Sequence, residues 1–409
     1  MHVPQTPTRF LDRSGRLYRD REAIVCGNAR LTYGEYAERV QRLTSVLASR
    51  LGIQKGDRVA YLGMNCHRLL ELYYAVLPIG AVLMPINVRL SADDMAFILQ
   101  DATPRVFFTG RQFAPLVQKL VDGTSVAHVV LLDPDEETAS GTRGDWPADW
   151  LDYETQLAQA KLPAPVNVID EDDVAEIFYT SGTTGRPKGV MLTHRNLYTH
   201  ALTTIATLLL SDGETMVVGT VPLFHVNAWG TPHFMVAVAG RQVVVPRFDP
   251  ASFCAAVQQE HATMALMVPT MLNGLLNYPQ RRAYDLGSLK RVVIGGAPPP
   301  YELIRRARQE LGVECMVGYG LSETTPILTV ATIKSTLLDR PQEELFRRQA
   351  LTGLPVIGVD VRVVRDDGSE VAWNGSEIGE IVARADSVMA GYWNRPDATA
   401  EVISDGWFH

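Results

Sequence analysis

Apolar residues recur along this chain with two alternating periods. After Thr32, which with Glu35 has the spacing of a capping box, Tyr36, Val40, Leu43, Leu47 and Leu51 fall three or four residues apart, and Gly52 closes the helix they predict. Short apolar runs at 58–63, 81–86, 105–109 and 128–133 read as buried strands, with helices predicted over 67–77 and after the cap Ser91. The alternation resumes with strands at 174–178, 216–221, 242–246, 264–268, 291–295 and 315–318. Between them lie helices at 229–239, 270–276 and 301–311, and one that Asp249 caps and Pro250 opens. Such βαβα order predicts parallel sheets covered by helices. Beyond Gly353 the period shortens to strands at 359–364, 370–373 and 379–383, with turns at Asp366-Asp367-Gly368 and Asn374-Gly375. The pattern therefore predicts an α/β fold with two mainly parallel sheets sandwiched by helices, plus a small C-terminal β-barrel-like module. The charged segment 333–350 has helical character and is expected to be a bridge or flap. Boundaries near 190 and 350 divide the chain into subdomains of about 1–190 (α/β), 191–350 (α/β) and 351–409 (β-rich).

Composition narrows the classes of function. With 409 residues, 46% hydrophobic and 21% charged, the chain has the make-up of a globular protein of two or three domains or subdomains. A formal net charge of −8 gives no general attraction to nucleic acid or anionic lipid, so a polyanionic ligand must be held by local groups. Cys26, Cys66, Cys254 and Cys315 lie far apart and form no Cys-x-x-Cys, against a metal cluster or disulfide framework. The first residues lack the basic start and apolar core of a signal peptide. The most apolar run, 72–86, is short of a membrane span and broken by Pro78 and Pro85. A cytoplasmic location, no integral membrane segment and no nucleic-acid partner are expected. The acidic stretch 135–145 reads as an exposed connection.

The chemistry concentrates at strand ends. Residues 179–190 read Tyr-Thr-Ser-Gly-Thr-Thr-Gly-Arg-Pro-Lys-Gly-Val. Glycines let backbone N–H groups converge on an oxyanion, and hydroxyls donate to phosphate oxygens or sit on a metal, while Lys188 and Arg186 offset negative charge. A flexible linker has similar composition, but Pro187 and the flanking apolar runs argue against one. The loop is not a Walker A sequence, since Lys188 is followed by Gly189, and no Gly-x-Ser-x-Gly surrounds Ser181 or Ser322. A second cluster, Pro222-Leu223-Phe224-His225-Val226-Asn227-Ala228-Trp229-Gly230, places a histidine among large apolar residues. That is a common core feature, yet beside a phosphate loop it suits a carboxylate in a lipophilic pocket. A third, Ile294-Gly295-Gly296-Ala297-Pro298-Pro299, is a strand-end turn that either simply reverses the chain or admits a flat ring. The fourth, Val317-Gly318-Tyr319-Gly320-Leu321-Ser322-Glu323-Thr324, sets a tyrosine between glycines four residues before a carboxylate, a hard oxygen ligand of the kind Mg2+ takes.

The 179–190 loop resembles the signature loop of the adenylate-forming superfamily, which comprises acyl-CoA synthetases, firefly-type luciferases and peptide-synthetase adenylation domains. The string Phe-His-Val-Asn-Ala-Trp is most similar to the medium- and long-chain fatty acyl-CoA synthetases. The resemblance implies that Thr180, Ser181, Gly182, Thr183, Thr184, Gly185 and Lys188 hold ATP phosphates. It implies that Gly296, Ala297 and Pro298 line the adenine pocket, within the nucleotide site that also includes Val317, Gly318, Tyr319, Gly320 and Ser322. Tyr319 would pack the base, with Ser322 standing where Thr is more usual. Glu323 and Thr180 would hold Mg2+, His225 would sit where acid and nucleotide meet, and Val226 and Trp229 would line the acyl tunnel. Thr180, Lys188, His225 and Glu323 are the implied catalytic set. The implied reaction is ATP-dependent ligation of a fatty acid to coenzyme A through an acyl-adenylate. Ligation of an aryl or short-chain acid, or a non-catalytic acyl- or nucleotide-binding remnant, are the alternatives. A kinase-like phosphotransferase is disfavoured by the lack of any other kinase motif. The resemblance leaves room for a homodimer and for peripheral contact with a membrane.

In the family, a string like Asp405-Gly406-Trp407-Phe408-His409 runs on into Thr-Gly-Asp, whose aspartate binds ribose, and then into a small mobile domain with a catalytic lysine. Residues 1–409 are therefore expected to be the large N-terminal adenylation domain without the small C-terminal one. Such a domain is expected to bind ATP weakly and turn over poorly.

Overall fold

The computed structural model describes residues 2–132, 146–180 and 185–409. Its frame is two sheets whose facing sides share one core. Among the described residues the larger sheet runs Leu354–Pro355, Ile327–Val330, Glu314–Gly320, Arg291–Ile294, Met264–Met267, Thr215–Val218, Arg241–Val244, Glu22–Cys26, Ala29–Thr32. Its central neighbours pair in parallel and its edge strands antiparallel. The second sheet runs Gly391–Tyr392, Lys188–Thr193, Val174–Thr180, Val82–Pro85, Arg58–Leu62, Val106–Gly110, His128–Leu132, Leu151–Asp152. Strand membership does not follow chain order. Glu22–Cys26 joins the larger sheet because Ile24, Val25 and Cys26 register against Gln242, Val243 and Val244.

Hydrophobic pattern explains the layering. The helices Tyr33–Ser45, His67–Ala75 and Val226–Ala237 are packed between the sheets, sharing a core with Ile24, Met216 and Met264 on one side and Tyr61, Leu83 and Phe178 on the other. All nine residues of His67–Ala75 are buried, the polar His67, Arg68 and Glu71 among them, and Arg39 Nε donates to Glu71 Oε1 at 2.8 Å. The outer face of the larger sheet is covered by Pro250–Glu260, Pro269–Leu276 and Tyr301–Leu311, and that of the second sheet by Ala92–Ala102 and Ala114–Val121. Each fully buried Leu or Phe contributes roughly 1.5–3 kcal/mol, so this double sandwich is held chiefly by apolar burial. The caps read from sequence are present. Thr32 and Glu35 form a capping box, and Asp249 accepts from the N–H groups of Ala251 and Ser252. Among the described residues no helix is long and apolar enough to cross a membrane.

Three expectations differ from the structure. The strands Asp360–Val364, Glu380–Arg384, Trp407–Phe408 and Ile403–Ser404 make the small antiparallel C-terminal sheet, but they pair in an open row. No strand forms over 370–373: Glu370 makes only an isolated bridge to Val364, and Trp373 is 94% exposed. Polar contacts hold this segment as a loop instead, since Glu377 accepts from Ala372 N–H and Arg365. The charged segment ends in a helix, Gln342–Gln349, that lies on Tyr301–Leu311 with Phe346 buried and Arg347 over the Tyr301 ring. It thus covers the larger sheet rather than bridging. The acidic stretch 135–145 lies outside the described residues.

Candidate active site

The phosphate-loop motif spans a hairpin. Thr180 ends the strand Val174–Thr180, Lys188 opens Lys188–Thr193, and the two are register partners across the pair. Ser181, Gly182, Thr183 and Thr184 lie outside the described residues. Among the described residues nothing lies within 4 Å of a Cβ added at Gly185, and Arg186 rests over the Phe97 ring at 4.8 Å.

A cavity of about 300 Å³ opens at the ends of the parallel strands, where open α/β sheets take their ligands. The larger sheet contributes Gly296 from the turn after Arg291–Ile294, and Gly318, Tyr319, Gly320, Ser322 and Glu323 from the end of Glu314–Gly320 onward. The opposite wall is His225, Val226 and Trp229. Sequence clusters far apart in the chain thus meet in one cleft. Ala297 and Pro298 stand exposed just beyond it, and Val317 is buried in the sheet beside Ile294. Thr180 and Lys188 are not in its lining either. Lys188 reaches the cleft through Tyr392: its Nζ lies 5.0 Å from the ring centroid, and the Tyr392 hydroxyl donates to Glu323 Oε1 at 2.8 Å. Burial, with the Glu323 carboxylate second, holds the Tyr392 hydroxyl protonated well above the usual tyrosine range.

The wall bearing His225 is built from unusual backbone. Val226, Asn227, Ala228, Trp229 and Gly230 all have positive φ, from 38° to 86°, so the segment makes a left-handed turn before the regular helix. For non-glycine residues this costs roughly 1–2 kcal/mol each. Buried polar contacts offset it. Glu176, fully buried in the strand leading to the phosphate loop, accepts from Asn227 Nδ2 at 2.6 Å and pairs with His233 Nε2 at 2.7 Å. Asn227 Oδ1 in turn accepts from Gly230 N–H at 2.5 Å. The turn sets Trp229 against Gly295, where an added Cβ would stand 2.8 Å from indole Cη2, so only glycine lets the ring lie there. Gly230 packs on the buried His200, which would meet a Cβ at 2.4 Å. His225 caps the turn and faces the cleft. It is open to solvent there but crowded by protein elsewhere, and desolvation, with Arg89 second, lowers its pKa and favours neutral imidazole.

Glu176, Asn227, His233 and Tyr392 were not among the residues singled out by sequence. Glu176 carried a signal, being the one charge in the apolar strand Val174–Thr180. Asn227 sat inside the quoted string. Tyr392 carried none, because its hydroxyl partner is 69 residues away in sequence.

This double-sandwich frame with a strand-end cleft defines a class. The profile of the AMP-binding enzyme family matches residues 11–393, and the chain belongs to that family. Its relatives place it among the family's acyl-CoA ligases, which are acid–thiol ligases. It is 36% identical over 408 residues to a long-chain-fatty-acid–CoA ligase of Thermus thermophilus, covering 98% of this chain and 72% of the ligase. A feruloyl-CoA synthase of an Amycolatopsis species is likewise 36% identical, over 398 residues, covering 97% of this chain and 73% of the synthase. Among solved structures, the N-terminal domain of FACL13 from Mycobacterium tuberculosis superposes with a TM-score of 0.83 at 27% identity, covering 99% of this chain and 95% of that domain. Relatives thus differ in their acids, and likeness to them leaves the acid of this chain undetermined.

Proposed function

We propose that this chain activates a fatty acid: the carboxylate attacks the α-phosphorus of ATP, pyrophosphate leaves, and the acyl-adenylate passes its acyl group to the thiol of coenzyme A. The observation that carries this reading is the meeting of His225, Val226 and Trp229 with Tyr319 and Glu323 in one cleft, with Glu323 tied to Lys188 by Tyr392. Two anions must approach in line, so the site has to neutralise charge and hold both. Lys188 and the hairpin hydroxyls serve the phosphates. Tyr319 offers its ring to adenine beside the turn at Gly296, Ala297 and Pro298. Neutral His225 donates to the acid's carboxylate without adding a second strong cation, while Val226 and Trp229 wall its apolar part.

The donor set suits Mg2+. Among the described residues, Tyr392 makes the one hydrogen bond to the Glu323 carboxylate, so Oε2 is available as a hard ligand, with the Thr180 hydroxyl as a second. When bound, the ion supplies charge neutralisation across the phosphates.

An aryl acid is the second reading, favoured by the equal identity to a feruloyl-CoA synthase. Pyrophosphate release and CoA-thioester formation, measured with acids from acetate to palmitate and with benzoate and ferulate, separate the two. Activity confined to aryl acids would replace the fatty acid. Since a large domain of this kind is expected to turn over poorly, silence counts against the ligase reading only where single-turnover acyl-adenylate formation is absent as well.

A further inference from the structure

Tyr392 is 7% exposed and comes from the short strand Gly391–Tyr392, far from every motif in the sequence. Its backbone is fixed on two sides. Ala390 N–H donates to Met191 O at 3.0 Å and Trp393 N–H to Gly189 O at 2.7 Å, zipping the segment onto the strand that begins at Lys188. Tyr392 N–H donates to Thr399 Oγ1 at 2.8 Å, and Met389 N–H donates to the Glu323 carbonyl at 2.8 Å. One ring therefore touches both the phosphate-loop lysine and the carboxylate at the end of the larger sheet.

Building on the function proposed above, we propose that Tyr392 is the positioning residue that sets Glu323 and Lys188 against each other for a metal–nucleotide complex. Its hydroxyl directs Glu323 Oε1, leaving Oε2 turned to a cation, and its π-face seats the Lys188 ammonium. Both contacts are made by the chain's own side chains, which fixes the carboxylate and the ammonium relative to each other. The second sheet, which carries the phosphate hairpin, is thereby linked to the larger sheet, which carries Glu323, through one side chain.

The contributions of hydroxyl and ring separate experimentally. Mn2+–ATP binding is measured by the loss of free Mn2+ signal in electron paramagnetic resonance, beside ATP binding in EDTA by calorimetry. Tyr392→Phe keeps the ring and is expected to weaken Mn2+–ATP about tenfold, the worth of one hydrogen bond to a charged group, with metal-free ATP binding unchanged. Glu323→Gln should lose a similar amount, and the double variant no more than Glu323→Gln alone. Tyr392→Ala should weaken metal-free ATP binding as well, since Lys188 loses its seat. A Tyr392→Phe protein with wild-type thermal stability that binds Mn2+–ATP as wild type does overturns the proposal while leaving the ligase reading intact. So does an equal loss with and without metal. Absence of ATP binding to the wild-type protein, with and without metal, overturns both.

Discussion

The carboxylate of Glu176 accepts a hydrogen bond from Asn227 Nδ2 at 2.6 Å, joining the strand that feeds the phosphate hairpin to the left-handed turn that carries Trp229. Its other oxygen meets His233 at 2.7 Å, and Glu176 is wholly buried. The two halves of the proposed reaction site, for phosphate and for acid, are thus mechanically connected behind the cleft.

Removing that connection should be felt mainly on the acid side. Glu176→Ala leaves the Asn227 amide and His233 Nε2 buried without a partner, and is expected to cost about 3 kcal/mol of stability. Glu176→Gln, which keeps the shape, should cost less and raise KM for the acid more than KM for ATP. Urea unfolding and the pair of KM values check this. Equal rises in both would count against the connection.

The indole of Trp229 fits only because residue 295 is glycine. Gly295→Ala should push the ring into the cavity and shift preference toward shorter acids, whereas Trp229→Ala should open it and favour longer ones. A change of about tenfold in the ratio of kcat/KM for palmitate to that for butyrate, in opposite directions, is expected from the apolar contacts involved.

Lys188 is the cation that the structure seats by the cleft on the hairpin side. Lys188→Met should lower kcat for pyrophosphate release about a hundredfold, the scale for losing one preorganised charge-stabilising donor, with thermal stability near wild type. An unchanged kcat would move the charge-neutralising role to another group.

Buried histidines should make stability fall on acidification. Desolvation lowers His200 to about 3 and His194 to about 4, so both are neutral when folded but protonate near pH 6.5 when unfolded. Because the unfolded state binds more protons, this share of stability is complete above pH 6.5. It declines as pH falls toward 4 and is lost below the folded values. The limiting slope is about 1.4 kcal/mol per pH unit for each histidine. Unfolding measured from pH 8 to pH 5 should show the decline, and His200→Gln, neutral throughout, should flatten it by one proton's share. Identical slopes in the two proteins would contradict the assignment.

Features legible in the sequence are those whose partners are close along the chain. The Thr32–Glu35 box and the Asp249 cap involve bonds within three residues, so spacing alone revealed them. The α/β alternation was legible because each buried strand and amphipathic helix writes its period into a short window. The Glu370–Trp373 segment failed that reading because its alternating residues find polar partners in the loop itself, leaving Trp373 in solvent.

By itself, then, the sequence determined the phosphate-loop motif, the strand and helix succession and the resemblance that joined the clusters at His225, Gly296 and Glu323. Tertiary structure alone decided that Glu22–Cys26 lies beside Arg241–Val244, that Glu176 anchors the left-handed turn, and that Tyr392 stands between Lys188 and Glu323. The physical reason is range. Propensity, capping and turn chemistry act over a few residues, whereas a buried carboxylate or tyrosine takes its partners from whichever strands and helices the common core brings together.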